Sequence, residues 1–85
     1  MAGQIVKQPN GMYAQFCEIA CDFTVYGMTR EEAFQLCLGA GLKVTEAEQS
    51  MKLAERSPKR YAEAMQTVAK VHGADRWKKR ERELQ

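Results

Sequence analysis

Eighty-five residues are fewer than most domains have, and a chain this short buries only roughly 60 to 65% of the surface it exposes when unfolded. Apolar residues make up 45% and charged residues 28%, which is ordinary globular composition and excludes a disordered or low-complexity tract. A membrane-spanning helix needs about 20 consecutive apolar residues, and the nearest approach, Phe16 to Met28, is broken by Glu18 and Asp22.

The net charge of +2 is unevenly spread: residues 1–56 carry five Lys/Arg against seven Asp/Glu, and residues 57–85 carry eight against four. Basic character therefore belongs to the C-terminal part. The opening residues run straight into a strand pattern without the apolar core of a secretory leader, so the expected location is cytoplasmic. Cys17, Cys21 and Cys37 are odd in number and in that setting read as free thiols, buried or partly buried.

Gln4-Ile5-Val6-Lys7 and Met12-Tyr13-Ala14-Gln15-Phe16 are β-prone runs separated by Gln8-Pro9-Asn10-Gly11. Proline fixes φ for the first central turn position, asparagine tolerates the second, and glycine accepts the positive φ of a bulge. The pattern predicts a hairpin. Two short strands are marginal alone, so one face must rest on the rest of the chain, with Ile5, Met12, Ala14 and Phe16 as contributors.

Residues 17–26 fit two readings. Phe16, Ile19, Ala20, Phe23 and Tyr26 recur at helical spacing, while Phe23 to Tyr26 also extends as a strand. The helical period predicts a short helix, ended by Gly27. Thr29-Arg30-Glu31-Glu32 is a capping box, with Met28 placed to staple against Ala33. It predicts a helix over about 29–38, with Ala33, Phe34, Cys37 and Leu38 as its stripe and Gly39-Ala40-Gly41 as its stop.

Thr45-Glu46-Ala47-Glu48 repeats the box and predicts a second helix, facing the core through Ala47, Met51 and Ala54. The connection between these two helices is longer than the three- or four-residue turn of a helix-turn-helix. Ser57-Pro58 reads as an N-cap followed by proline at the first helical position. The third helix lays Tyr61, Ala64, Met65, Val68 and Val71 across the core until Gly73 caps or kinks it. Beyond it, Asp75 can cap a last helical turn or two, and the tail over 74–85 either packs through Trp77 and Leu84 or frays.

Candidate chemistry is sparse. Cys17, Cys21, Cys37 and His72 supply soft metal ligands, but they lack the close pairing of a structural zinc site, and no metal or cofactor is expected. His72 is the only histidine, no residue pair marks a nucleophile and its base, and no glycine loop is built to cradle phosphate, so the chain is not expected to be an enzyme or to hold a small-molecule substrate. An imidazole beside Gly73 is placed to meet the terminal carbonyls of its own helix. Glu31 and Glu32 point about 100° apart and suit the helix dipole better than paired carboxylate chemistry. Trp77-Lys78-Lys79-Arg80-Glu81-Arg82 is the one segment where an aromatic sits among cations, as nucleic-acid contacts do. A solvated helix end with Trp77 on the core accounts for the same residues.

Lys7-Gln8-Pro9-Asn10-Gly11-Met12-Tyr13, then Phe16, Asp22-Phe23-Thr24, Tyr26 and Met28-Thr29 before Glu31-Glu32-Ala33 make the chain resemble small uncharacterised proteins of Gram-positive gut bacteria and their mobile elements. The resemblance spans about residues 5–37. It departs at Cys17, where a serine or threonine is expected, and at Gly27, where asparagine is. It implies a phage or conjugative-element setting and no mechanism.

The sequence thus predicts one small α+β domain over 1–85, a short N-terminal hairpin packed on three or four short helices. Its expected role is protein interaction, self-association above all, through the hairpin edge or an exposed apolar face with Tyr13, Tyr26 and Met51 as contacts. The alternative is a nucleic-acid accessory protein of a mobile element using Trp77, Lys78, Lys79, Arg80 and Arg82.

Overall fold

The computed structural model describes residues 4–85; Met1, Ala2 and Gly3, on which part of the localisation reading rests, lie outside them. The elements run β1 (Gln4–Lys7), β2 (Tyr13–Cys17), β3 (Asp22–Met28), α1 (Arg30–Gly39), α2 (Val44–Arg56), α3 (Lys59–His72) and α4 (Ala74–Leu84). The fold class is α+β, with an antiparallel three-stranded sheet ordered β1-β2-β3 and then four helices. No helix among the described residues is long and apolar enough to cross a membrane.

The hairpin forms where Pro9-Asn10-Gly11 places it. The Gln8 amide donates to the Met12 carbonyl at 2.8 Å, the Asn10 side chain accepts from the Met12 amide at 2.9 Å, and Gly11 takes φ +86°. The expected helix over residues 17–26 is corrected: residues 18–21 are a turn and Asp22–Met28 is a third strand. Gly27 does not end that segment but sits inside β3 at φ +72°. The pairing explains both outcomes. Tyr13 faces Met28, Gln15 faces Val25 and Phe16 faces Phe23, so β3 carries an extra residue at two places relative to β2. These bulges break the alternation that would have announced a strand.

Both faces of the sheet are covered, where one covered face was expected. Alternation sends Ile5 and Tyr13 to one side and Val6, Ala14 and Phe16 to the other. The first set packs with Ala33 and Cys37 of α1 and Ala47, Met51 and Ala54 of α2. The second packs with Ala64, Met65 and Val68 of α3 and Leu84 of α4. Met51, Leu84, Val6 and Val68 are fully buried, each worth about 1.5 to 3 kcal/mol in area removed from water. An edge-on contact of Phe16 with Phe23, centroids 5.4 Å apart, joins β2 to β3 within the second core.

Helix ends follow the cap chemistry with three corrections. Thr29 and Glu32 make the full box, with bonds of 3.1 and 2.9 Å. The second helix begins earlier than Thr45: Lys43 is its N-cap, and Glu46 reaches back to the Lys43 amide at 2.9 Å. Ser57 closes α2 and makes no side-chain cap to α3, although Pro58 has the helical φ of −60° that its ring favours. Val71 is 55% exposed and leaves the predicted stripe of α3. Gly73, not Asp75, caps α4, at φ +96°, and also ends α3; α4 is an 11-residue helix, longer than the expected turn or two, and it packs, with Leu84 fully buried.

The chain crosses from one face of the sheet to the other at Ser57-Pro58. Both α2 and α3 pack on β1, Arg60 bonds Gln4 across the strand, and Ala54, Pro58 and Tyr61 share a recess with Lys7 and Pro9. The α2–α3 corner therefore wraps the outer edge of β1, where Ile5 and Val6 are buried.

Candidate interaction surface

The three expected partner contacts separate in the structure. Met51 is fully buried and Tyr13 nearly so, and neither can meet a partner; these two assignments are corrected. Tyr13 lies under α2 and donates from its hydroxyl to Glu55 Oε2 at 3.1 Å, and Glu55 also pairs with Arg30 at 3.5 Å. Burial first, and the Glu55 carboxylate second, push the Tyr13 phenol up from its ordinary value. Tyr26 alone stays at the surface, 39% exposed on β3.

Tyr26 is tied to α4. Its hydroxyl donates to Glu83 Oε2 at 2.8 Å and the Arg80 guanidinium lies 5.9 Å from its ring centroid. Behind it, Asp22, only 7% exposed, receives Arg80 Nε at 2.8 Å, Arg80 Nη2 at 2.9 Å and Arg76 Nη1 at 2.5 Å. Burial raises the Asp22 carboxyl, but Arg80, the Phe23 amide and Arg76 together outweigh it and bring it down to about 2. The Asp22 bond, reinforced by Glu83 and opposed by burial, pushes Arg80 up. A paired buried acid of this kind anchors a helix to a strand; it is not poised for proton transfer.

That clamp also takes apart the basic segment. Arg80 is spent on Asp22 and Glu83, and Trp77 packs with Tyr61 against the second core. Lys78, Lys79 and Arg82 remain exposed, with the exposed Asp75 on the same outer face of α4. One of the four cations is thus engaged within the fold, and the aromatic is partly buried.

The soft ligands do not converge. Cys17 Sγ accepts from the Ala20 amide at 3.5 Å, Cys21 Sγ donates to the Glu18 carbonyl at 3.3 Å, and Cys37 is buried on the far helix. His72 meets the Ala20 carbonyl of the β2–β3 turn at 2.9 Å, not the end of its own helix as expected. Among the described residues no three Cys, His, Asp or Glu side chains are grouped to hold a metal.

What stands open is a strand edge. β2 is paired on both sides and β1 is wrapped by the α2–α3 corner, whereas Thr24, Tyr26 and Gly27 of β3 are exposed. Residues 23–28 contain no charge and no proline. Sequence reasoning missed this edge because it read the segment as helix. The Asp22 clamp had a legible half, since Arg76 and Arg80 stand four apart on one helix face, but its acid lies 58 positions from Arg80. Comparison with family models, with curated proteins and with solved structures finds no match for this chain.

Proposed function

We propose that this chain is a protein-interaction module that pairs with a second copy of itself along the open edge of β3. The carrying observation is the contrast between the sheet's two outer strands: β1 is enclosed, while β3 leaves Thr24 and Tyr26 at the surface, beside Gly27, whose amide is taken by Gln8. An unpaired edge presents backbone donors and acceptors that another strand completes, and edges kept for solvent usually carry lysine or proline. Residues 23–28 carry neither. Antiparallel addition of β3 to its own copy is self-complementary and closes with two-fold symmetry, which limits the assembly to a dimer. Both bulges fall within residues 23–28, between Phe23 and Val25 and between Val25 and Met28, so the edge offers only a short, irregular pairing and favours a contact that opens and closes.

Light scattering on the intact chain tests this reading. Two-chain mass at micromolar concentration, persisting in high salt, is expected, because strand addition and apolar contact resist the screening that removes phosphate or ion-pair contacts. Thr24→Lys places a positive charge on each copy close to the two-fold axis of the edge and is expected to give one-chain mass with unchanged circular dichroism. Wild-type mass of one chain at every concentration, or a dimer indifferent to Thr24→Lys, contradicts it.

A further inference from the structure

The arginines of this fold are not treated alike. Arg30, Arg76 and Arg80 each reach a carboxylate within ion-pair distance. Arg60, half-buried at the start of α3, reaches none among the described residues; its guanidinium donates from Nε at 2.8 Å and from Nη2 to the neutral Oε1 of Gln4. Burial pulls the Arg60 pKa down, the reverse of Arg80, whose ion pair pushes it up. A half-buried cation whose nearest carboxylates stay outside ion-pair distance gains from an anion that joins it directly.

Arg60 borders a cleft of about 260 Å³ between the sheet and the α1–α2 pair. Its apolar wall is Ile5, Cys37, Leu42 and Leu53, the first two buried and Leu53 54% exposed at the rim. Gln4, Gln15 and Ser50 bring hydrogen-bond donors to the same cleft. The Gln15 amide oxygen accepts from Thr24, so its NH2 is the group left to donate. Two carboxylates outside ion-pair distance act on Arg60 through space: Glu18, which lines the cleft on the exposed β2–β3 turn, and Glu63, three residues further along α3 and outside the cleft lining.

We propose that this cleft is a binding site for a small amphipathic carboxylate, whose acid group pairs with Arg60 and the neighbouring amides and whose apolar body lies on Leu42 and Leu53. The volume is below the roughly 300 Å³ at which drug-sized sites begin, which selects a short aliphatic or aromatic acid. The guanidinium fork matches a carboxylate in a way a hydroxyl cannot. Glu18 opposes the ligand's charge and sets an upper limit on affinity.

Hexanoate and hexanol share one apolar body and differ in charge, so titrating each into the full chain while following the Ile5, Leu42 and Leu53 methyl resonances isolates the Arg60 contribution. Saturable hexanoate binding at least about tenfold tighter than hexanol is expected. Arg60→Gln should reduce hexanoate to the hexanol level, Arg60→Lys should retain part of the difference, and Glu18→Gln should tighten hexanoate. Equal binding of the acid and the alcohol to the wild-type chain, or no saturable shift with hexanoate, overturns the proposal without recourse to any variant. A folded Arg60→Gln protein that still prefers hexanoate also overturns it.

Discussion

The Gln8 side chain donates from Nε2 to the carbonyl of Leu84, 76 positions later, at 2.8 Å. Its Oε1 accepts the Gly27 amide at 2.7 Å. One buried amide therefore fastens the hairpin loop to the bulge of β3 and to the end of α4. The exposed edge of β3 is held in shape from behind by Gln8 and by the Asp22 clamp, so its readiness to pair is built into the monomer.

Replacing Gln8 by Leu keeps the volume roughly constant and removes both bonds, leaving the Gly27 N–H and the Leu84 carbonyl without their partner. The Leu84 carbonyl is the buried one of the two, and an unsatisfied buried group costs about 1 to 3 kcal/mol, whereas the Gly27 N–H at the exposed edge can turn to water. Urea denaturation should show a midpoint lowered by an equivalent amount at unchanged slope. A loss below about 0.5 kcal/mol would mean that water replaces the amide at both ends.

Acid should weaken the fold through Asp22. Its pKa falls from 3.8 to about 2 on folding, so the unfolded chain takes up the proton first as pH drops. The contribution is complete above the unfolded value and is lost as pH falls through the folded one, amounting to roughly 2 kcal/mol. Thermal melting of the wild type should therefore decline between about pH 5 and about pH 2, and the decline should shrink in Asp22→Asn. At neutral pH that variant should be the less stable protein, because Arg80 and Arg76 keep their charge without the acid.

Gly27→Ala isolates backbone conformation from packing. Gly27 has φ +72° and no atom lies within 4 Å of the position a Cβ would take. The expected loss is about 1 to 2 kcal/mol from the left-handed backbone alone. A larger loss in calorimetry would show that the bulge itself collapses.

Elements set by neighbouring residues were legible in the sequence. Pro9-Asn10-Gly11 and the Thr29-Glu32 box each complete their hydrogen bonds within four residues, so composition alone locates them. β3 was legible only as the second reading of residues 23–26, because pairing with β2 across two bulges overrode the helical spacing of Phe16, Phe23 and Tyr26 and left Ile19, 83% exposed, on a turn. The same applies to the surface: Tyr13 looked available until α2 covered it, Met51 until α2 laid it against the sheet, and Arg80 looked free until Asp22 was folded against it. Arg60 and its cleft combine five elements, β1, β2, α1, α2 and α3, and no local pattern announces such a meeting.

Hydrogen exchange read amide by amide across a dilution series addresses the edge most directly. β1 amides should be protected at every concentration because the α2–α3 corner encloses them, while those amides between Thr24 and Tyr26 that point away from β2 should exchange fast in dilute solution and slow as concentration rises. Protection of β3 that does not change with concentration, or concentration-dependent protection confined to α4 or α2, would contradict pairing through β3.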